Sequence, residues 1–169
     1  ANTRDGIALS VTTPWGRGEV ATRLAGTFNA SNALGVLGVL LACGIELEAA
    51  LAALARVKPP PGRMQRLGGG FEPLVVVDYA HSPDALEQVL AALRPAVAAG
   101  GELICVFGCG GDRDSGKRRE MGRVAGRGAD RIVVTSDNPR SEDPAAIAAA
   151  IVTGIRDAGP RKHALELDR

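Results

Sequence analysis

The sequence predicts an α/β protein whose second, larger part is built on a mostly parallel sheet. Apolar runs at 74–77, 103–107 and 132–134 are continuous, not alternating, as strands buried on both faces are. Each gives way to a loop containing Gly, Asp, Asn or Ser, and then to a segment with apolar residues at helical spacing. Aromatic residues make up only 3% of the 169, so Ala, Val, Leu and Ile must fill the core, as they do in helix-covered sheets.

Residues 6–13 alternate loosely and stop at Pro14-Trp15-Gly16; a second extended run over 19–28 makes the pair a hairpin or meander. Ala33, Val36, Leu37, Leu40 and Leu41 fall at helical spacing, with Gly44 placed to end that helix. An Ala-rich helix over 46–56 carries Leu47, Leu51 and Leu54. Lys58-Pro-Pro-Pro-Gly62 suits neither a helix nor a sheet interior and marks a domain boundary at 60/61. Beyond it, 74–78 reads as a buried parallel strand. Ser82 caps the next helix, Pro83 takes its first position, and Leu86, Val89, Leu90, Leu93 and Val97 line one face. Strand 102–107 leads to helix 116–127, with Met121, Val124 and Ala125 inward and Arg119, Arg123 and Arg127 outward. Strand 131–135 precedes a helix from Asp143-Pro144 with Ile147, Ile151 and Ile155 at four-residue steps, and 163–167 forms one more strand. With right-handed crossovers this β-α-β-α-β-α-β order predicts a doubly wound, Rossmann-like sheet over 62–169, with 1–57 packed as a separate piece.

The composition, 46% apolar and 23% charged, is that of a soluble globular protein, and no apolar segment approaches the length of a membrane span. A net charge of +1 offers no electrostatic case for nucleic acid or a membrane surface. The three cysteines (Cys43, Cys105, Cys109) lack paired spacing, which argues against a zinc site or disulfide framework and for a reduced, cytoplasmic setting. The chain opens on Ala1-Asn-Thr-Arg-Asp without an initiator Met and stops on Leu165-Glu-Leu-Asp-Arg169, so both ends read as cut from a longer protein.

In parallel α/β sheets, ligands bind beyond the carboxyl ends of the strands. Two such ends carry chemistry: Cys105-Val-Phe-Gly-Cys-Gly-Gly-Asp-Arg-Asp-Ser-Gly-Lys117 and Asp137-Asn-Pro-Arg140. Arginine on both, Arg113 and Arg140, points to a small carboxylate-bearing ligand, because a guanidinium grips a carboxylate with two parallel hydrogen bonds. A third strand end carries Asp78, a carboxylate suited to ribose hydroxyls. Asp78, His81, Gly110, Arg113, Asn138 and Arg140 are therefore expected along one edge of the sheet. A P-loop reading fails: Gly111 to Lys117 matches G-x-x-x-x-G-K, but Arg118 replaces the Ser/Thr that holds magnesium, and Asp112 and Asp114 repel a polyphosphate. The dinucleotide fingerprint fails because Arg113 stands where its third glycine belongs. Plainer alternatives stay open at this point. The glycine loop reads equally as a strand-to-helix turn, Asp137-Asn-Pro as turn chemistry, Asn29 and Asn32 as helix-opening caps, Arg63 as a surface charge and His81 as a helix-entry residue.

Five motifs together narrow the choice. Phe28-Asn29-x-x-Asn32, Gly62-Arg63-Met64, Asp78-Tyr-Ala-His-Ser-Pro-Asp84, Gly108-Cys-Gly-Gly-Asp-Arg-Asp114 and Asp137-Asn-Pro-Arg140 resemble, in this order and approximate spacing, the Mur ligases, and the resemblance covers nearly the whole chain. It implies that 1–60 end the central ATPase domain and that 61–169 are an incomplete C-terminal, Rossmann-like domain. It also implies ATP-driven amide-bond synthesis: phosphorylation of the D-Glu carboxylate of UDP-N-acetylmuramoyl-L-alanyl-D-glutamate, then attack on the acyl phosphate by the amine of meso-diaminopimelate. Asn29 and Asn32 resemble the pair near the adenine, Arg63 the arginine near the phosphates and Asp78 the ribose-binding acid, with His81 grouped beside them in the ATP site. Arg113, Asp137, Asn138 and Arg140 resemble the residues that hold meso-diaminopimelate. A fork-shaped cation at 140 suits the distal carboxylate of that amino acid, which lysine lacks.

The family's P-loop, its modified lysine, its UDP-sugar domain and its Lys-Gly-His-Glu segment do not occur in these 169 residues. The resemblance thus implies that the principal ligands of Mg2+ lie outside the chain, that no catalytic residue is assigned within it, and that alone it is inactive. Two competing readings are a lysine-adding or other muramoyl-peptide ligase, against which Arg140 argues, and a non-catalytic α/β module that binds an amino acid or nucleotide.

Overall fold

The computed structural model describes residues 2–3, 6–24 and 26–168. Ala1, Arg4, Asp5 and Arg169, on which the reading of the chain ends rests, and Ala25 of the 19–28 run lie outside the described residues. The chain divides into two compact units, Ala1–Tyr79 and Ala80–Arg169, with the proline run inside the first.

In the first unit, strands β1 (Asn2–Thr3), β2 (Gly6–Thr13) and β3 (Gly16–Thr22) form an antiparallel sheet in sequence order. The β2–β3 register closes at Thr13↔Gly16, which leaves Pro14 and Trp15 as a two-residue loop. Thr13 Oγ1 accepts from the Trp15 N–H at 3.2 Å and donates to the Gly16 carbonyl at 3.0 Å, fixing that turn. Of the run over 19–28, strand β3 takes residues 19–22. Helix α1 (Thr27–Ala42) follows after Gly26, whose φ of 87° a side chain would resist. Gly44, at φ 82°, returns its N–H to the Leu41 carbonyl at 3.0 Å and ends α1 as the sequence requires. Helix α2 (Leu47–Ala55) completes a core in which Ile7, Val11, Val20 and Leu24 of the sheet segment meet Leu37, Leu41, Ala50 and Leu54.

The same unit ends in a hairpin, β4 (Gln65–Gly68) and β5 (Leu74–Val77), paired antiparallel from Gln65↔Val77 to Gly68↔Leu74. This overturns the expectation of a buried parallel strand at 74–78. Val75 and Val77 are 52% and 42% exposed. The five residues 69–73, entered through left-handed Gly69 and Gly70, fold the chain straight back, so the nearest partner is local. Strand β4 escapes pattern reading because Gln65-Arg-Leu-Gly68 holds a single large apolar residue; pairing makes it a strand.

In the second unit, α3 (Pro83–Leu93) starts on Ser82, whose Oγ accepts from the Ala85 N–H at 3.3 Å, and Pro83 takes the first position. Pro95 diverts the chain into a 3-10 turn, Arg94–Ala96, which removes Val97 from the helical stripe. Then follow β6 (Ile104–Phe107), α4 (Gly116–Gly128), β7 (Arg131–Thr135), α5 (Pro144–Asp157) and β8 (Lys162–Glu166). The three strands are parallel in the order β6-β7-β8, with Phe107, Val134 and Leu165 in register. The strand order never reverses, so right-handed crossovers put α4 and α5 on one face. Among the described residues the sheet is wound on one side and not doubly wound. Cys105, Ile132 and Val134 join Met121, Ala125, Ile147, Ile151 and Ile155 in the core, whereas Ile104 and Val106 are 50% and 63% exposed. Helices α4 and α5 touch backbone to backbone. A Cβ at Gly122 would lie 2.1 Å from the Ile151 carbonyl oxygen, and one at Gly154 would lie 1.9 Å from that of Arg119.

Candidate functional site

Because β6 and β7 run parallel and in register, the loops that leave them at Phe107 and Thr135 emerge at the same end of the sheet. Those loops are bonded to each other. The Gly111 N–H donates to the Asn138 carbonyl at 2.9 Å, and the Arg140 guanidinium donates back to the Gly111 carbonyl at 2.5 Å. A Cβ at Gly108 would sit 2.3 Å from the Thr135 oxygen, and one at Gly111 would sit 1.8 Å from the Pro139 oxygen. Close approach of the second loop therefore accounts for glycine at both positions, with no phosphate needed.

A polar lattice holds the two loops in unusual conformations. Asp112 and Arg140 adopt left-handed backbone, φ 52° and 50°, which costs non-glycine residues on the order of 1 kcal/mol each. Ser141 donates to both Asp112 oxygens, from Oγ at 2.6 Å and from N–H at 3.3 Å. Glu142 Oε1 accepts from the Asp112 N–H at 2.6 Å, and Arg118 grips both Glu142 oxygens at 2.7 Å through Nη1 and Nη2. The Arg118 hydrogen bonds first, and then that of the Asp112 N–H, hold the Glu142 carboxyl down at about 2. A depressed folded-state pKa stabilises above the ordinary carboxylate pKa and is lost as pH falls through the folded value. Acid unfolding should therefore separate the wild-type chain from Glu142→Gln above about pH 4.5, with the gap closing toward pH 2; a gap unchanged at pH 2 would contradict it.

Near this lattice the second unit gathers most residues named from its sequence. Arg113 follows Asp112, is exposed, and has no side-chain partner among the described residues. Asp137 and Asn138 are also exposed. His81 joins them through its carbonyl, which accepts from Lys117 Nζ at 3.0 Å. Asp78 follows β5, which belongs to the hairpin of the first unit and not to the parallel sheet, so the topological reason for expecting it along this edge does not hold.

In the first unit the β4–β5 pairing brings Gly62-Arg63-Met64 against Asp78-Tyr79. Asp78 Oδ2 accepts from the Met64 N–H at 2.8 Å, Met64 is 1% exposed at φ 49°, and the Arg63 guanidinium lies 4.9 Å over the Tyr79 ring. Arg63 is exposed and pairs with no carboxylate among the described residues, which leaves its donors suited to phosphate. Asn32 Nδ2 donates to Asn29 Oδ1 at 3.1 Å; the N-cap of α1 is Gly26, so neither asparagine caps it. A cavity of about 570 Å³ in this unit, lined by Arg23, Lys58, Pro59, Gln65 and Arg66, includes none of the candidate site residues.

Arg118, Ser141 and Glu142 were not recognised as site residues from the sequence. One signal was present: Arg118 lies three residues before Met121 and seven before Ala125, on the inner stripe of α4, whereas Arg119, Arg123 and Arg127 face outward. Burial pushes the Cys105 thiol to about 12, and burial also raises that of Cys109 against the pull of Lys117 and Arg118. Neither is a ready nucleophile. No group of three or more His, Cys, Asp or Glu among the described residues could hold a metal ion, and no helix among them is long and apolar enough to cross a membrane.

The sequence profile described as Mur ligase, glutamate ligase domain matches residues 62–168. The chain belongs to the Mur ligase family. It is 54% identical, over its whole length, to UDP-N-acetylmuramoyl-L-alanyl-D-glutamate–2,6-diaminopimelate ligase of Chromobacterium violaceum, and covers 34% of that protein. Over 153 residues, 90% of the chain, it is 56% identical to the ligase of the same name from Janthinobacterium sp., covering 30% of it. A solved structure with that name matches 98% of this Mur ligase chain at a TM-score of 0.65 and 42% identity, the chain covering 33% of it. The chain thus spans about a third of the length of the relatives it matches.

Proposed function

We propose that this chain is part of an ATP-dependent amide-bond ligase that adds meso-diaminopimelate to UDP-N-acetylmuramoyl-L-alanyl-D-glutamate in peptidoglycan synthesis, in the cytoplasm. The observation that carries the reading is the junction of two loops at one sheet end, Gly111 N–H on Asn138 O, because each loop brings an arginine suited to a carboxylate. The names of relatives more than half identical support the choice of substrates.

On this reading Arg113 and Arg140 hold the acceptor's carboxylates, while Asp137 and the Asn138 side chain complement its ammonium groups. The D-Glu carboxylate is phosphorylated by ATP, and the acceptor's amine then attacks the acyl carbon. The C–N bond forms as the C–O bond to phosphate breaks, and the amine gives up a proton. Arg63 would meet the phosphates of ATP and Asp78 its ribose, with Asn29, Asn32 and His81 on the same substrate. No described cluster fits Mg2+, so no step here runs through it. The central ATPase domain would end near Pro60 and a C-terminal domain begin at 61.

The test is full-length protein supplied with ATP, the UDP-linked dipeptide and either meso-diaminopimelate or lysine. Phosphate release and product mass should depend on meso-diaminopimelate. Equal use of lysine would point instead to the lysine-adding members.

A further inference from the structure

We infer that Arg118 and Glu142 are positioning residues for the acceptor amino acid: their ion pair clamps the loop after β7 to the loop after β6 and sets the geometry from which Arg113, Asn138 and Arg140 meet it. The inference rests on the proposed function for the acceptor-binding roles of Arg113, Asn138 and Arg140. Arg118 is 5% exposed and gives its Nη groups to Glu142, with a weaker reach to the Gly110 carbonyl at 3.4 Å. Its Nε has no partner among the described residues, so all its bonding is directed at these two loops. Glu142 in turn fixes the Asp112 backbone, next to Arg113, and lies two residues from Arg140. Both left-handed residues, Asp112 and Arg140, thus sit within the span of the clamp, where relaxation of the backbone would swing the neighbouring guanidiniums.

Stability alone is a poor account of this pair. Arg118 is buried but the Glu142 side chain is 34% exposed, and a pair open to water on one side gains only modest net energy from its attraction. Fixing the directions of two neighbouring side chains is something an apolar contact would do less well, since it lacks the planar, two-toothed geometry.

The experiment compares Glu142→Ala, Glu142→Gln and Arg118→Lys with wild type in the full-length protein, measuring KM separately for ATP, the UDP-linked dipeptide and the acceptor. Glu142→Ala should raise the acceptor KM on the order of tenfold to a hundredfold, as loss of orientation does. The other two KM values should stay within about twofold of wild type. Glu142→Gln, which keeps an oxygen for the Asp112 N–H, and Arg118→Lys, which keeps the charge without the fork, should fall between. An unchanged acceptor KM overturns the inference, and so does a parallel rise of all three values, which would mean general loosening. If Glu142→Ala does not fold, the same split in Glu142→Gln decides. The proposed function fails separately: should wild type use lysine and not meso-diaminopimelate, that reading is lost, and the KM split measured with lysine still decides the clamp.

Discussion

If the proposed function holds, Arg140→Ala in the full-length protein should weaken use of meso-diaminopimelate by about 2 kcal/mol, roughly thirtyfold in kcat/KM. This is the low end for a lost charge-assisted contact, because Arg140 is exposed in this chain. The change removes the guanidinium proposed to hold an acceptor carboxylate and also the hydrogen bond to the Gly111 carbonyl, which ties the two loops. Arg140→Lys should recover only part of the loss, since an ammonium on a flexible stem cannot reproduce two parallel bonds. The apparent affinity for ATP should barely move. Kinetics with ATP affected and the acceptor spared would assign this loop to the other ligand.

Gly111→Ala should be the more damaging change to the fold. The added Cβ would lie 1.8 Å from the Pro139 oxygen and 2.6 Å from its carbonyl carbon, so backbone and not a flexible side chain must yield. Separating the loops would break the Gly111–Asn138 hydrogen bond and strain the Asp112–Ser141–Glu142 lattice beside it. A loss of about 3 kcal/mol follows from overpacking at a point with no room to relax, enough to lower Tm by on the order of 10 °C. Thermal unfolding of the chain checks this. A Tm within a degree or two of wild type would mean the two loops separate at little cost.

Local chemistry was readable from residue order. Ser82-Pro83 and Asp143-Pro144 start α3 and α5 because a side-chain oxygen and a fixed φ act within one turn, and Gly44 ends α1 for an equally local reason. The parallel core at 103–107 and 131–135 was also readable, since its apolar runs alternate with helices long enough to cross over. So was the pairing of a glycine loop with Asp137-Asn-Pro-Arg140, because topology alone delivers both to one end of the sheet.

The partner of 74–77 was decided only by tertiary structure. A continuous apolar run states that a strand exists, whereas its neighbour depends on the turn before it and on non-local register. The β4–β5 hairpin, invisible in Gln65-Arg-Leu-Gly68, is what sets Met64 against Asp78 and Arg63 over Tyr79. Arg118 is the sharper case. By itself it looked like a failed magnesium-binding position, and only the approach of Glu142, 24 residues away, makes it a buried clamp. The sequence by itself determined where polar and charged residues collect at turns and strand ends, because composition and local turns dictate that. Which of them are held, and by what, was decided by long-range contacts that bring distant backbone together, and no window of residues encodes those.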